Sequence, residues 1–418
     1  MAKASPIRNG IYRKTQLESG VRVVTETMPH VHSLAIGIWF DTGSRDEPEQ
    51  LAGISHYLEH MNFKGTPSRS AAVIPRQIEG RGGHLNAFTG PETTCFYARV
   101  ISEHLRDAVE VLSDITQNSL YETEEVDRER GVILEELKNN EDTPDELIFD
   151  HFMDEVFAGD PLGRPVIGTR EALARIDQAA LKSYRAARYN GSRVLVVAAG
   201  YLDHDRLAKM IDSRFRKEET ADRTTRKIAP LESSVLRHEH TTTTQQTHIL
   251  YGTRSIAYND ERKYPLMVLN ALLGGGASSR LFQRIRERHG LAYSVYSFMN
   301  NLGDTGIFGV YAGTEPKRAE KALALIEKEI RLVCREPISK REITHFKEQL
   351  KGSLLLGLES PSSMMHRLAK MELYTGKWYA IDDVVKRIDA VTPEMVQETA
   401  RDLLERQPVF TTILKPNA

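Results

Sequence analysis

The sequence predicts an α+β protein of two similar domains, because the order of its elements repeats. Each half contains a strand-like apolar run, a helical segment, a pair of strands and two long helices, in that order. The segments are 33–40, 51–64, 84–101, 103–118 and 121–140 in the first half, and 247–252, 264–287, 291–313, 315–334 and 339–355 in the second. Each half then ends in a helix that leads into a strand, at 193–200 and 409–414.

The segment between the halves, 216–232, is rich in charged residues and threonine and poor in large apolar residues. Such a composition is typical of a surface linker, and we place the domain boundary near residue 225. The predicted domains are therefore 1–225 and 226–418.

Composition excludes several classes of protein. The chain has 418 residues, 40% of them hydrophobic, which suits two globular domains. Its net charge of −2 argues against a nucleic-acid partner. Cys95 and Cys334 lie far apart in sequence, which favours a reducing compartment, and we expect the cytoplasm. Met1–Gly20 lacks the apolar core of a secretory signal, and a mitochondrial presequence is disfavoured. No apolar run is long enough to predict a membrane span.

The segment 56–60, His-Tyr-Leu-Glu-His, is the strongest chemical signal in the chain. Apolar residues at helical spacing around it predict that it lies on a helix. His56 and His60 are then one turn apart and can reach one metal ion, with Glu59 beside them. This is the inverted zinc-hydrolase pattern H-x-x-E-H, in which the glutamate acts as general base. On these five residues alone, a helix whose histidines only pack or face water stays open.

A second predicted helix, 124–136, can supply the third protein ligand that a catalytic zinc site needs. Glu129 and Glu136 lie two turns apart on one face of it. This spacing suits one zinc ligand and one carboxylate that orients a ligand histidine. Glu135 points about 100° away from Glu136 on a helix, which makes it the poorer ligand. The competing interpretation is a solvated acidic face, which is common for such runs.

These residues together resemble the metal site of the pitrilysin-type metallopeptidases, the family of insulysin and the mitochondrial processing peptidase. Four further segments are similar, at 83–89, 274–282, 285–293 and 356–361. The resemblance covers nearly the whole chain and is nearest to the short-chain branch, with the processing peptidase beta subunit and bacterial homologues. It implies two homologous domains, each a mostly antiparallel sheet with helices packed on one side, like half of a clamshell.

The resemblance also implies roles that the residues alone do not. It assigns Asn86 and Ala87 to an edge strand that binds the substrate as an added strand. It assigns Arg286 and Tyr293, in the second domain, to hydrogen bonds with the scissile carbonyl or the substrate backbone. In short-chain members this pair is expected to face the metal domain of a partner chain. That implies a homodimer, with a heterodimer of homologous chains as the alternative.

The predicted function is a zinc-dependent endopeptidase that hydrolyses peptides or unfolded polypeptide segments. One Zn²⁺ per chain is expected at His56, His60 and Glu136, with Glu59 as general base and Glu129 orienting a ligand ring. Two alternatives stay open: a processing peptidase for one leader or presequence, and a non-catalytic structural or partner subunit. The presence of the complete metal-site pattern argues against the second.

Overall fold

The computed structural model describes residues 10–215, 226–230 and 236–417. The chain forms two compact units. The segments of unit 1 are Met1–Glu136, Arg164–Thr225 and Gly357–Tyr379, and those of unit 2 are Leu137–Gly163, Arg226–Leu356 and Ala380–Ala418. Most of the predicted linker lies outside the described residues, as do the first nine residues, and the boundary near 225 stays a prediction.

Unit 1 is built on a six-stranded sheet. Its strands are β1 (Ile11–Gln16), β2 (Arg22–Thr27), β3 (Ser33–Phe40), β4 (His84–Thr89), β5 (Thr94–Ile101) and β6 (Val194–Gly200). They lie in the order β4-β5-β3-β6-β2-β1. Neighbouring strands are antiparallel except for β2 and β6, which are parallel. The hairpin of β4 and β5 therefore ends the sheet, with β4 at its edge.

Unit 2 is built on a five-stranded sheet. Its strands are β7 (Arg237–Thr242), β8 (Thr247–Ser255), β9 (Ala292–Asn301), β10 (Gly306–Thr314) and β11 (Phe410–Pro416). Their order is β9-β10-β8-β11-β7, and β7 and β11 are the parallel pair. Counted from the hairpin edge, these five strands lie in the same order as β4, β5, β3, β6 and β2 of unit 1. The predicted repeat of a mostly antiparallel α+β fold is thus confirmed.

Fourteen α-helices lie in the described residues. In chain order they are α1 (Ile54–Met61), α2 (Val73–Glu79), α3 (Leu105–Gln117), α4 (Thr123–Glu141), α5 (Pro144–Val156), α6 (Arg170–Leu173), α7 (Gln178–Arg188), α8 (His204–Asp212), α9 (Lys263–Gly274), α10 (Ala319–Arg335), α11 (Lys340–Gly357), α12 (Pro361–Thr375), α13 (Ile381–Asp389) and α14 (Pro393–Leu404). Within the part of the chain that the structure describes, none of them is long and apolar enough to cross a bilayer.

The helix predicted over 264–287 is interrupted, and the glycines at 274–276, which we expect to permit a turn, lie at the break. Helix α9 ends at Gly274, and a separate π-helical segment runs from Phe282 to Arg288. A Cβ atom on Gly274 would lie 2.1 Å from the backbone nitrogen of Ser297 in β9. The glycines at this point therefore let the helix end against the neighbouring strand, a contact that no larger residue permits.

The expectation that helices pack on one side of each sheet is wrong. Both faces of the unit 2 sheet carry helices, as alternate residues of β8 show. Ile249 packs into the core formed with α9, α10 and α14. Its neighbour Leu250 packs instead with Ile148 and Phe152 of α5. Helix α5 thus covers the face opposite to the other helices of the core.

The unit 1 sheet has the same arrangement. Trp39 of β3 makes an edge contact with His366 of α12, with 5.8 Å between ring centroids. The next residue, Phe40, points to the other face and stacks on Tyr189, just after α7. Each sheet is therefore covered on one face by a helix from the other half of the sequence, α12 for unit 1 and α5 for unit 2.

Candidate metal centre

Helix α1 separates an apolar face from a polar one. The buried residues are Ile54, Ser55, Tyr57, Leu58 and Met61. His56, Glu59 and His60 lie on the other side and are partly exposed. The apolar face packs against the rest of unit 1, so the three motif side chains lie together on the opposite, partly exposed face of the helix.

Helix α4 brings Glu136 to the two histidines. The Nε2 atom of His56 lies 3.7 Å from Oε1 of Glu136, and Nε2 of His60 lies 3.5 Å from Oε2. Nitrogen and oxygen donors of the three residues all lie within 4.8 Å of one another, and no other such group of three or more occurs among the described residues.

The donor set fits a zinc ion. Ligand atoms 2.0–2.1 Å from a tetrahedral ion are separated by roughly 3.3 Å, close to the distances between the imidazole nitrogens and the Glu136 carboxylate. Two imidazoles and one carboxylate leave a fourth position open, as catalytic zinc sites require. Glu136 is half exposed, with 48% of its side chain accessible, which gives the site an opening to solvent.

The buried carboxylate of Glu129 fixes the ring of His60. Its Oε1 lies 2.8 Å from Nδ1 of His60, and Lys64 forms an ion pair with its other oxygen. Burial opposes ionisation, but these hydrogen bonds lower the pKa of Glu129. An ionised carboxylate only accepts, so Nδ1–H of His60 donates and Nε2 is left to bind a metal.

The two histidines differ in their protonation. Burial, together with the neighbouring His60, lowers the pKa of His56 to about 4, so its ring is neutral at pH 7. Burial also favours the neutral form of His60, but the hydrogen bond with Glu129 and the charges of Glu136, Glu129 and Glu59 outweigh it and raise its pKa. Protons therefore compete with a metal mainly at His60.

Glu59 lies beside the three candidate metal ligands, His56, His60 and Glu136, but is not one of them. Its Oε2 accepts a hydrogen bond from the hydroxyl of Thr89, at 2.6 Å. Burial raises the pKa of Glu59 and the charge of Glu136 adds to this, while Thr89 and His60 oppose it. A carboxylate with a raised pKa is a stronger base than an exposed one, which suits proton transfer.

The structure places Asn86 and Ala87 in β4, at the edge of the unit 1 sheet. In the register with β5, Asn86 lies opposite Tyr97. The side-chain oxygen of Asn86 accepts a hydrogen bond from the backbone N–H of Ala87, at 2.8 Å. An added peptide strand would have to displace this side chain to reach that N–H.

Arg286 and Tyr293 lie together in unit 2. The Arg286 guanidinium is 5.6 Å from the Tyr293 ring centroid and 4.8 Å from that of Phe282. Tyr293 is 78% exposed, so its hydroxyl is available to a ligand. The π-helical segment that carries Arg286 is a type of distortion frequent at functional sites.

Sequence reasoning missed Lys64 and Thr89. Lys64 lies beyond the end of α1, and nothing local marks it as the partner of Glu129. Thr89 is the last residue of β4, and nothing local marks it as the partner of Glu59. Both contacts depend on how β4 and α4 pack around α1.

Comparison with known proteins identifies the family. Residues 22–170 match the model of Insulinase (Peptidase family M16), and residues 175–350 match the Peptidase M16 inactive domain. A protein of Streptomyces coelicolor named as an uncharacterized zinc protease is 40% identical over 416 residues, covering 97% of this chain and 90% of its own. The similarly named YmxG of Bacillus subtilis is 39% identical, with 92% and 94% covered. The chain belongs to the M16, insulinase-like peptidase family.

Solved structures share the fold. A protease from Helicobacter pylori aligns with a TM-score of 0.92 at 21% identity, over 98% of this chain and 100% of that one. A chain of complex III2 from Candida albicans aligns with a TM-score of 0.82 at 21% identity, over 96% and 95% of the two chains.

Proposed function

We propose that this chain is a zinc-dependent endopeptidase that hydrolyses peptides or unfolded polypeptide segments. The observation that carries the proposal is the convergence of His56, His60 and Glu136, with Glu59 beside them and outside the donor set. The names of the zinc protease relatives support zinc as the metal. We propose one ion per chain, because one such donor group occurs in the described residues.

The protein groups divide the chemistry between them. A zinc ion at this position would supply Lewis-acid chemistry, which polarises a peptide carbonyl and makes a water more acidic. Glu59 takes a proton from the attacking water and gives it to the leaving amine as the peptide bond breaks. Glu129 holds the ring of His60 so that its Nε2 stays directed at the metal position.

The substrate would bind as an extended strand. β4 is the edge of the unit 1 sheet, and an edge strand recognises peptide backbone more than side chains. We assign Asn86 and Ala87 to this contact, and Arg286 and Tyr293 to hydrogen bonds with the scissile carbonyl or the substrate backbone. Arg286 and Tyr293 lie in unit 2. In short-chain members of the family this pair is expected to face the metal domain of a partner chain, and we therefore propose a homodimer.

The test is Glu59→Gln, assayed for zinc content and for cleavage of a quenched peptide library. We expect zinc to bind as in the wild type and turnover to fall by about 10²-fold or more, because the general base is lost. Glu135→Gln is the matched control, since this exposed neighbour of Glu136 lies outside the donor set. Wild-type turnover by Glu59→Gln would refute the assignment.

The same assay separates the alternatives. Zinc without turnover in the wild type would favour a non-catalytic subunit or a missing partner chain. Cleavage confined to one leader sequence would favour a processing peptidase. Size measurement in solution tests the homodimer, since a monomer with full activity would contradict it.

A further inference from the structure

The start of helix α1 is held by a carboxylate from outside the helix. The residue before the helix, Gly53, has no side chain to cap it. Glu47 takes over this role: its Oε2 accepts from the N–H of Gly53 and its Oε1 from the N–H of Ser55, both at 2.7 Å. Both oxygens are thus used on the first turn, where helix N–H groups lack partners within the helix.

The backbone at Gly53 explains why the cap comes from elsewhere. Gly53 has φ +94°, and a Cβ atom there would lie 2.5 Å from the carbonyl oxygen of Ile167. A serine, threonine or aspartate, the usual capping residues, would be strained at this position. The packing around α1 therefore depends on Glu47 for these hydrogen bonds.

Glu47 is buried and held in place. It is 6% exposed, and Arg164 donates to its backbone oxygen at 3.1 Å. Burial raises the pKa of its carboxyl to about 7, although the N–H bonds of Gly53 and Ser55 act in the opposite direction. The hydroxyl of Ser55 also lies 2.9 Å from that of Tyr184, which adds a second attachment of the same turn.

The loop that carries Glu47 is also attached to the turn between β4 and β5. The backbone N–H of Arg45 donates to the oxygen of Pro91 at 2.8 Å, and its side chain pairs with the buried Glu92 at 2.7 Å. A Cβ atom on Gly43 would lie 2.2 Å from the oxygen of Gly90, so the loop and the turn are in close contact. One short loop thus joins the helix of the metal ligands to the hairpin of the edge strand.

We infer that Glu47 is a positioning residue of the proposed peptidase, which sets the place of His56, Glu59 and His60 relative to strand β4. The inference rests on the proposed function, and it assigns Glu47 no contact with substrate or metal. A displacement of about 1 Å in a catalytic geometry can lower a rate by 10²-fold, so the effect of its loss falls on the chemical step.

Glu47→Gln is the test, because the amide keeps the size but offers one oxygen to two N–H donors. The matched control is Glu372→Gln, a carboxylate on α12 that is equally buried and pairs with Arg22. Four quantities are measured for wild type and both variants: amide hydrogen exchange over 53–61 in the metal-free protein, zinc affinity by competition with a chelating dye, and kcat and KM for peptide.

Glu47→Gln should show faster exchange across α1, about tenfold or more weaker zinc binding, and a lower kcat with KM near the wild-type value. Glu372→Gln should lower thermal stability while α1 exchange, zinc affinity and kcat stay as in wild type. If Glu47→Gln does not fold, Glu47→Asp keeps the charge but falls about 1.5 Å short of the helix, and the same results are expected.

Identical behaviour of the two variants in α1 exchange and zinc affinity would overturn the inference, since Glu47 would then act on stability alone. The proposed function fails separately, if wild type does not bind zinc or does not cleave peptides. Exchange needs neither metal nor substrate, so it decides the role of Glu47 in either case.

Discussion

Helices α1 and α9 occupy equivalent places in the two units, each between a central strand and the hairpin that ends the sheet. α1 has 8 residues, and its polar face carries His56, Glu59 and His60. α9 has 12 residues, and its equivalent stretch includes the buried Leu269, Leu272 and Leu273. The comparison teaches that the fold requires only an apolar helix at this place. The metal chemistry proposed for α1 is added to it by a few polar residues on the outward side.

The second difference is in how the helices are supported. The first turn of α1 is attached by Glu47, and the His60 ring by Glu129, which Lys64 holds through an ion pair. α9 instead packs directly into its core, and a Cβ atom at its last residue, Gly274, would strike β9. A helix that gives up apolar contacts for function needs polar attachments in their place.

The largest effect should come from removing a proposed ligand. His60→Ala leaves two donors, one of them half exposed, and we expect loss of zinc binding at micromolar zinc together with loss of peptidase activity. Equilibrium dialysis and peptide cleavage measure the two. His30→Ala, an exposed histidine outside the metal centre, is the control. Full zinc occupancy of His60→Ala would show that His60 is not a zinc ligand and would contradict the assignment.

A smaller loss should follow from Glu129→Gln. The amide still meets the His60 ring but no longer carries a charge, so we expect zinc affinity to fall by about 10 to 100-fold while some activity remains. Glu125→Gln, one turn earlier on α4 and paired with Arg128, is the control. Equal affinities for the two variants would show that Glu129 only contributes to packing.

The smallest effect is a change in how stability depends on pH in the metal-free protein. Because the folded pKa of His60 is raised, the stability it contributes is fully present below the ordinary histidine pKa, about 6.5, and is lost as pH rises through the folded value. Denaturant unfolding of metal-free wild type and Glu129→Gln, from roughly pH 5 to pH 9, measures this. Glu129→Gln should lose less stability than wild type as the pH rises. Superimposable profiles of stability against pH for the two proteins would contradict the prediction.

Local patterns in the sequence were enough to predict the repeated α+β fold and a helix for the H-x-x-E-H motif. Apolar periodicity is set by each element's own burial, so it can be read from neighbouring residues. The close packing of Gly274 against Ser297 of β9 and the contact of Thr89 with Glu59 could not be predicted this way. They depend on strands that approach from elsewhere in the chain. Glu47 was missed for the same reason, since a cap from six residues upstream has no fixed sequence pattern.

Helices α5 and α12 each cover a sheet built from the other half of the sequence, and this has a consequence for how the chain can be divided. A cut between 215 and 236 would give two fragments, each lacking the helix that covers one face of its own sheet. The first would expose the face of Trp39 and the second the face of Leu250. Neither fragment is self-sufficient, so each should aggregate alone, and a soluble product requires that both be synthesised together. The repeat in the sequence therefore does not mark two separable modules. Half of this chain, expressed alone, would not form a functional half of the protein.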